Sequence, residues 1–69
     1  MHTILSGKKL DGSPVTFPPN ANPTTSDPEA WLRKKEAKGL FQIVAEDNAG
    51  NKTTYFLMRN GEIKRYRIN

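Results

Sequence analysis

The chain contains no cysteine and a single histidine, His2. Without thiols no disulfide can support a small core, and a reducing compartment is the natural expectation. No stretch approaches the roughly 18 consecutive apolar residues that identify a transmembrane helix. The first residues also lack the basic and apolar segments of a secretory signal. We therefore expect a cytoplasmic protein that does not span a membrane.

Catalytic and metal-binding patterns are missing as well. No serine lies in a nucleophile-elbow sequence, and no glycine-rich loop joins a strand to a helix as a phosphate-binding loop does. Asp11 and Asp47 suit turns and Asp27 suits a helix cap, so these carboxylates have structural roles. The glutamates show no spacing typical of a metal site or of paired carboxylates. We expect no enzyme activity, no cofactor and no metal.

Positive charge exceeds negative charge in this short chain. Eleven Lys and Arg residues oppose seven Asp and Glu residues, which gives a net charge of +4 and a pI of about 9.7. This balance favours encounter with acidic protein surfaces or nucleic acid, although solubility alone also explains a basic surface. With 69 residues, the sequence predicts one small domain over residues 1–69.

Turn-forming residues divide the first part of the chain into a hairpin and a connector. Asp11 and Gly12 lie between two apolar stretches and predict a hairpin over residues 3–17. Its turn would have two residues, both with positive φ. Residues 18–27 include three prolines and predict an extended connector without regular structure, with a binding loop as the alternative.

One helix is predicted over residues 28–38. Asp27 suits the N-cap and Pro28 the first helical position. Gly39 suits the left-handed residue that ends a helix. The apolar residues do not form one stripe on this helix, so we expect Trp31 to be its main anchor against the sheet.

Residues 40–68 predict a three-stranded antiparallel meander. Its first turn contains an aspartate at the start, Asp47, and a glycine at the left-handed position, Gly50. Together they predict a three-residue loop with a bulge. That loop sets Glu46 opposite Lys52, and this favourable charge pair supports the register.

The second turn of the meander contains Asn60 and Gly61. This dipeptide predicts a two-residue type I′ turn, in which both residues have positive φ. The register that follows sets Tyr55 opposite Tyr66 and places both tyrosines on the face under the helix. The predicted fold class is therefore α+β, with elements in the order ββαβββ and one helix packed on one face of an antiparallel sheet.

The other face of the predicted meander has a mixed character. A face turned toward water should be polar, yet this one carries several apolar side chains. Either the N-terminal hairpin or the proline-rich stretch covers it, or a partner does. The candidate partner-binding residues on this face and its rim are Phe56, Met58, Ile63, Arg65, Arg67 and Lys52.

These observations favour a small, basic, non-catalytic binding module. We expect a regulator or inhibitor that docks this face on an acidic surface of a partner protein. The first alternative is nucleic-acid binding by the basic C-terminal strands, in which cations alternate with aromatic residues. This register, however, leaves Phe56 as the one exposed aromatic side chain of those strands. The second alternative is a homodimer or larger homo-oligomer that buries the mixed face. Basic residues on an edge strand also simply discourage aggregation.

Overall fold

The structure, a computed structural model, describes residues 1–68 and every side chain among them except that of Lys35. The last residue of the predicted 1–69 domain lies outside this range. As predicted, the chain is broadly α+β, with an antiparallel sheet and one short helix. No helix in the described range is long and apolar enough to cross a membrane. The elements are β1 (His2–Lys9), β2 (Pro14–Thr16), β3 (Thr24–Thr25), α1 (Pro28–Arg33), a 3-10 turn (Lys35–Ala37), β4 (Leu40–Glu46), β5 (Lys52–Leu57) and β6 (Ile63–Arg67).

Five strands lie side by side in the order β2-β1-β4-β5-β6, and β3 pairs with the beginning of β1. The N-terminal hairpin therefore extends the sheet beside β4 and does not fold over a face. The proline-rich connector is more regular than predicted. The N–H of Ile4 donates to the Pro23 carbonyl at 2.8 Å, and the Asn22 side chain donates to the Ile4 carbonyl at 2.8 Å. These bonds hold the connector against the edge of β1.

The three hairpin loops of the sheet share one geometry. Each loop has three residues and ends in a glycine with positive φ, which is +88° at Gly12, +84° at Gly50 and +89° at Gly61. The N–H of each glycine donates to the carbonyl three residues before it. This arrangement is typical of a type I turn followed by a glycine bulge. The prediction for the middle loop is confirmed. The two-residue turns predicted at Asp11 and Asn60 are wrong, because no non-glycine residue in the described range has positive φ.

The length of each loop sets the register of the strands that it joins. Glu46 lies opposite Lys52, as predicted for β4 and β5. Between β5 and β6 the prediction is wrong by one residue, since Tyr55 lies opposite Arg65 and not opposite Tyr66. Side chains alternate between the two faces of a strand, so this single step moves every side chain of β6 to the other face.

The helix begins where the sequence predicts and ends early. The Asp27 side chain accepts a hydrogen bond from the N–H of Ala30 at 3.2 Å, and a proline follows Asp27 as the first helical residue. The predicted helix over 28–38 instead stops at Arg33. Lys34 is extended, with φ −83° and ψ 171°, and a 3-10 turn follows.

Packing against the sheet explains the early end of the helix. In a straight helix, at about 100° per residue, Ala37 would point away from the side that carries Trp31 and Leu32. The break at the end of α1 allows all three side chains to face the sheet, where Ala37 is only 2% exposed.

The core lies between the helical segment and one face of the sheet. Ile4, Leu32 and Ile43 are fully buried. Trp31 is also buried there, as predicted for the anchor of the helix. Burying a large aromatic side chain contributes strongly to the stability of so small a domain. The other core residues are Ala37, Leu40, Ala45 and Tyr55, with Val15, Phe17, Leu57 and Ile63 packed partly buried against them.

Candidate binding surface

The sheet face turned away from α1 carries an open groove of about 580 Å³. Thr54 is 8% exposed and lies toward its floor, while Tyr66 and Met58 are 55% and 39% exposed. These exposed apolar surfaces contrast with the buried residues of the helix side. We name this feature the aromatic groove, and its lining residues are Gln42, Thr54, Phe56, Met58, Lys64 and Tyr66.

An aromatic cluster crosses the groove, with one ring from each of three neighbouring strands. Phe56 of β5 lies at its centre. The Phe56 ring centroid is 5.5 Å from that of Tyr66, and the two planes are 79° apart in an edge-on contact. On the other side, Phe41 lies 6.4 Å away with its ring tilted by 44°. Both separations fall in the range in which aromatic pairs attract each other.

A β-bulge at the start of β4 directs one of these rings. Lys8 pairs with Gln42 and Lys9 pairs with Leu40, so Phe41 is an extra residue in the ladder. A bulge interrupts the alternation of side chains. As a result Leu40 is buried in the core and Phe41 contacts the cluster, whereas simple alternation would place Phe41 under the helix.

Three of the predicted partner-binding residues lie on the groove side of the sheet. Phe56 and Met58 line the groove. Lys52 is exposed and, by alternation along β5, projects from the same face. Phe56 and Met58 lie together in the groove and Lys52 lies on the same face, as the sequence predicts, and the role of the three residues in partner binding remains a prediction.

The other three predicted residues lie on the helix side, because of the register of β6. Ile63 is partly buried against the core. Arg65 forms an ion pair with the helix, in which its Nη1 lies 3.0 Å from Oε2 of Glu29. Arg67 shares the face of Arg65 by alternation. The predicted placement of Ile63, Arg65 and Arg67 on the same face as Phe56 is therefore wrong.

Sequence reasoning missed Tyr66 and Lys64, which line the groove. The sequence does contain a local signal for the loop length that places both residues on the groove side, namely the side chain of Asn60. Its Oδ1 accepts a hydrogen bond from the N–H of Glu62 at 2.9 Å. Asp11 makes the equivalent bond in the first hairpin. An Asn or Asp at this position stabilises a turn through its own side chain and does not need positive φ. The Asn60-Gly61 dipeptide therefore fits the end of a three-residue loop as well as a type I′ turn.

Lysines border the groove. Lys64 lines it, and Lys8 is exposed opposite the groove residue Gln42. Lys52 adds a third positive charge to this face, with Glu46 opposite it. The border is therefore positive on balance, which favours acidic ligands.

The titratable groups with clear pKa shifts have structural roles. Burial raises the pKa of the Tyr55 hydroxyl under the helix, and the negative charge of Glu29 adds to that increase. Hydrogen bonds from Asn51 lower the pKa of Asp47, and the bond from the backbone N–H has a larger effect than the bond from the side chain. Within residues 1–68, no group of three or more His, Cys, Asp or Glu side chains could hold a metal ion.

A scan against protein-family models finds no family that matches this chain, and searches of curated proteins and of solved structures find no match either. The functional argument therefore depends on the groove, the strand edges and the distribution of charge. Fold alone would not identify a function in any case, because one fold can carry many different sites.

Proposed function

We propose that this protein is a small, basic, non-catalytic binding module that docks its aromatic groove on an acidic surface of a partner protein, as a regulator or inhibitor. The supporting observation is that Tyr66 and Met58 are exposed beside Phe56 on a face that α1 does not cover. Exposed apolar patches with charged rims are typical of interaction surfaces. Aromatic and methionine side chains are also enriched where protein interfaces are buried.

The charge of the groove border supports an acidic partner. Lys64 lies inside the groove, and the whole chain carries a net charge of +4. Complementary charge increases the rate of encounter and suppresses unsuitable partners. Arg65 and Arg67 contribute to this attraction from the helix side, because charges act over a Debye length of about 8 Å at physiological ionic strength.

Affinity capture from cells that contain the protein tests the proposal. The groove variant carries Met58→Ser and Tyr66→Ser, which remove exposed apolar surface and leave the buried core intact. The matched control is Leu10→Ser, since Leu10 is an apolar residue of the first hairpin loop that is 80% exposed and does not line the groove. We expect the wild type and the control to capture the same acidic protein and the groove variant to lose it. Capture of that protein by the groove variant would contradict the proposal.

One observation favours nucleic acid as a second candidate ligand. The register of β6 brings Tyr66 onto the open face, so two aromatic side chains, Phe56 and Tyr66, line the groove where the sequence predicted one. Bases stack on such side chains with about 1–3 kcal/mol each in single-strand binders. The same register places Arg65 and Arg67 on the helix side, so these two cations are not available to nucleic acid in the groove.

Salt dependence tests this second candidate. With Lys8, Lys52 and Lys64 on the groove face, a single-stranded oligonucleotide would contact about three phosphates, and log affinity should fall with log salt at a slope of about −2. No binding at about 50 mM salt would exclude this reading, because electrostatic binding is strong at low salt.

Light scattering over a wide concentration range separates both candidates from a homodimer. A monomeric mass at every concentration would exclude self-association through the groove. A dimer that the Tyr66→Ser change abolishes would instead favour it.

A further inference from the structure

Strand β6 forms one edge of the sheet. It pairs with β5 on one side, and no strand within residues 1–68 pairs with its other side. Four of its five residues are exposed. The opposite edge is built differently, since β2 has three residues and begins at Pro14, and β3 has two. Short strands and proline block the addition of another strand, so β6 is the edge suited to strand addition.

The hydrogen-bond pattern shows which backbone groups of β6 point outward. The N–H of Met58 donates to the carbonyl of Glu62 at 2.8 Å, so these two residues form a hydrogen-bonded pair. In an antiparallel ladder such pairs alternate with pairs that are not hydrogen-bonded. Ile63 and Arg65 therefore direct both their N–H and their C=O groups away from β5. Two donors and two acceptors are thus spaced as a neighbouring strand requires.

The side chains of β6 are positively charged on both faces of the sheet. Lys64 projects into the aromatic groove, whereas Arg65 projects toward Glu29 on the helix side. Arg67 follows Arg65 on that side, and β6 contains no acidic residue. A strand added at this edge would meet positive charge on either face.

We propose that β6 binds an extended acidic segment of a partner protein, which pairs with it as an added strand of the sheet. This inference rests on the proposed function and specifies how the acidic partner is held. Backbone hydrogen bonds supply affinity in such strand addition, and the alternating side chains supply specificity. Glutamate or aspartate side chains of the added strand would pair with Lys64 on one face and with Arg65 on the other.

A second copy of this chain fits the edge poorly. If two β6 strands paired antiparallel about Arg65, that residue would lie opposite its own copy. Like charges in directly opposite positions destabilise a strand pair. The charges that discourage self-pairing at this edge are the same charges that attract an acidic strand.

Nucleic acid also fits the edge poorly. A phosphate backbone offers acceptors and negative charge, so it could accept from the outward N–H groups of Ile63 and Arg65. Their outward carbonyls would find no donor on the phosphates, and a polar group buried without a partner is costly. A polypeptide strand satisfies donors and acceptors together.

Arg65 is already paired with Glu29, but this pair does not prevent binding. Its Nη1–Oε2 distance is 3.0 Å, and the Arg65 side chain is 64% exposed. Exposed ion pairs contribute little to stability. The Arg65 side chain can therefore exchange one carboxylate for another at small cost.

The test is an NMR titration of the nitrogen-15-labelled full chain. The probe is a blocked heptapeptide of valines with two adjacent glutamates at its centre, which places one carboxylate on each face of the sheet. The control peptide has lysine in place of each glutamate. At low salt, we expect the acidic peptide to shift the amide signals of Ile63 and Arg65 and to slow their hydrogen exchange by about tenfold or more, because these N–H groups become paired. The lysine peptide should leave both unchanged.

Two variants of one residue separate charge from backbone pairing. Arg65→Gln removes the charge and keeps the outward N–H. Arg65→Pro removes the outward N–H as well, and proline is tolerated on an edge strand where the N–H faces solvent. We expect Arg65→Pro to bind the acidic peptide about three- to tenfold more weakly than Arg65→Gln does, which corresponds to one hydrogen bond. Equal affinities would overturn strand addition.

A change in the peptide keeps the test independent of how the proline variant folds. N-methylation of alternate peptide amides on the edge that faces β6 removes donors from the ligand, and it should abolish binding to the wild type. Methylation of the other edge should leave binding intact. Similar losses with both methylated peptides would overturn strand addition.

The remaining outcomes distinguish this inference from the proposed function. Shifts confined to Phe56 and Tyr66, or no binding of the peptide at low salt, would overturn strand addition. An oligothymidylate of about 12 nucleotides that displaced the peptide from the edge would also overturn it. The proposed function fails by a different measurement, namely capture of the partner by the groove variant.

Discussion

Tyr66 packs edge-on against Phe56, with ring centroids 5.5 Å apart. This contact exists because the loop before β6 has three residues, which places Tyr66 on the groove side of the sheet. The length of this loop therefore determines whether Tyr66 belongs to the candidate binding surface. The interaction energy between the two rings can be measured in solution.

A double-mutant cycle with Phe56→Leu and Tyr66→Leu should give a coupling free energy of about 0.5–1.5 kcal/mol, as aromatic pairs do. We expect the lower end, since Tyr66 is 55% exposed. Urea unfolding of the four proteins measures the coupling. The control cycle uses Tyr55→Leu with Tyr66→Leu, which should show almost none because the two tyrosines lie on opposite faces. Larger coupling in the control cycle would contradict the register.

The three-residue loop at Asn60 and Gly61 predicts that two glycine-related changes both destabilise the protein. Gly61→Ala should destabilise by about 1 kcal/mol, because φ is +89° at this residue and a side chain is strained there. Asn60→Gly should also destabilise, since it removes the 2.9 Å bond to the N–H of Glu62 and adds chain entropy to the unfolded state. In a type I′ turn the second change would be neutral or stabilising. Thermal unfolding of both variants distinguishes the two loop types. A higher melting temperature for Asn60→Gly would exclude the three-residue loop.

Gly7→Ala should be more harmful than Gly12→Ala, although both replace a glycine of the first hairpin. A Cβ at Gly7 would lie 2.9 Å from the Gln42 carbonyl oxygen and 3.3 Å from a Leu40 methyl group. Such overpacking costs about 1–3 kcal/mol. A Cβ at Gly12 meets open space, so only backbone strain of about 1 kcal/mol applies. Denaturant unfolding compares the two variants, and an equal or smaller effect at Gly7 would show that β1 and β4 are not so close.

Asp47 should make the protein less stable in acid. Asn51 donates to its carboxylate from the backbone at 2.9 Å and from the side chain at 3.1 Å, and these bonds lower its pKa from the ordinary 3.8. A carboxyl group with a lowered folded pKa stabilises fully above its unfolded pKa and loses that contribution as the pH falls through the folded value. The melting temperature should therefore decline below about pH 4, and Asp47→Asn should decline less.

Asp11 provides the comparison for this pH dependence. Hydrogen bonds from the Ser13 side chain and backbone lower its pKa as well. The variant with Asp11→Asn and Asp47→Asn should thus show a shallower acid dependence than either single variant. An acid slope that remained at the wild-type value in the double variant would place the responsible carboxylates elsewhere.

Local signals in the sequence account for the fold where a residue type has one main structural use. Asp27 followed by proline predicts the beginning of α1, and Asp47 with Gly50 predicts the loop between β4 and β5. That loop predicts the β4–β5 register, which the structure confirms through the pairing of Glu46 with Lys52. A single-sequence argument succeeds here because the turn and the charge pair agree.

The predictions fail where the same residue types fit two different structures, or where tertiary packing determines the conformation. Asn60 with Gly61 fits two loop lengths, and the longer one occurs. The early end of α1 depends on burial of Ala37 against the sheet, which no local propensity encodes. Likewise, β3 exists because Thr24 and Thr25 meet β1 across a long separation in sequence.

The candidate surface was predicted only in part, because only one of its two strand registers could be derived from the sequence. Phe56 and Met58 lie on β5, whose register with β4 the sequence specifies. Tyr66 and Lys64 lie on β6 and were missed with its register. Phe41 required knowledge of the bulge between β1 and β4, which depends on a pairing between distant parts of the chain.

The three-residue loop between β5 and β6 makes the surface chemistry of this protein unusually easy to change in evolution. Deletion of one codon in this loop would shorten it to two residues and shift β6 by one position. Tyr66 would then move under the helix, while Arg65 and Arg67 would move into the groove. One short deletion could therefore exchange an aromatic surface for a cationic one without any substitution, which gives this scaffold a direct route from one class of ligand to another.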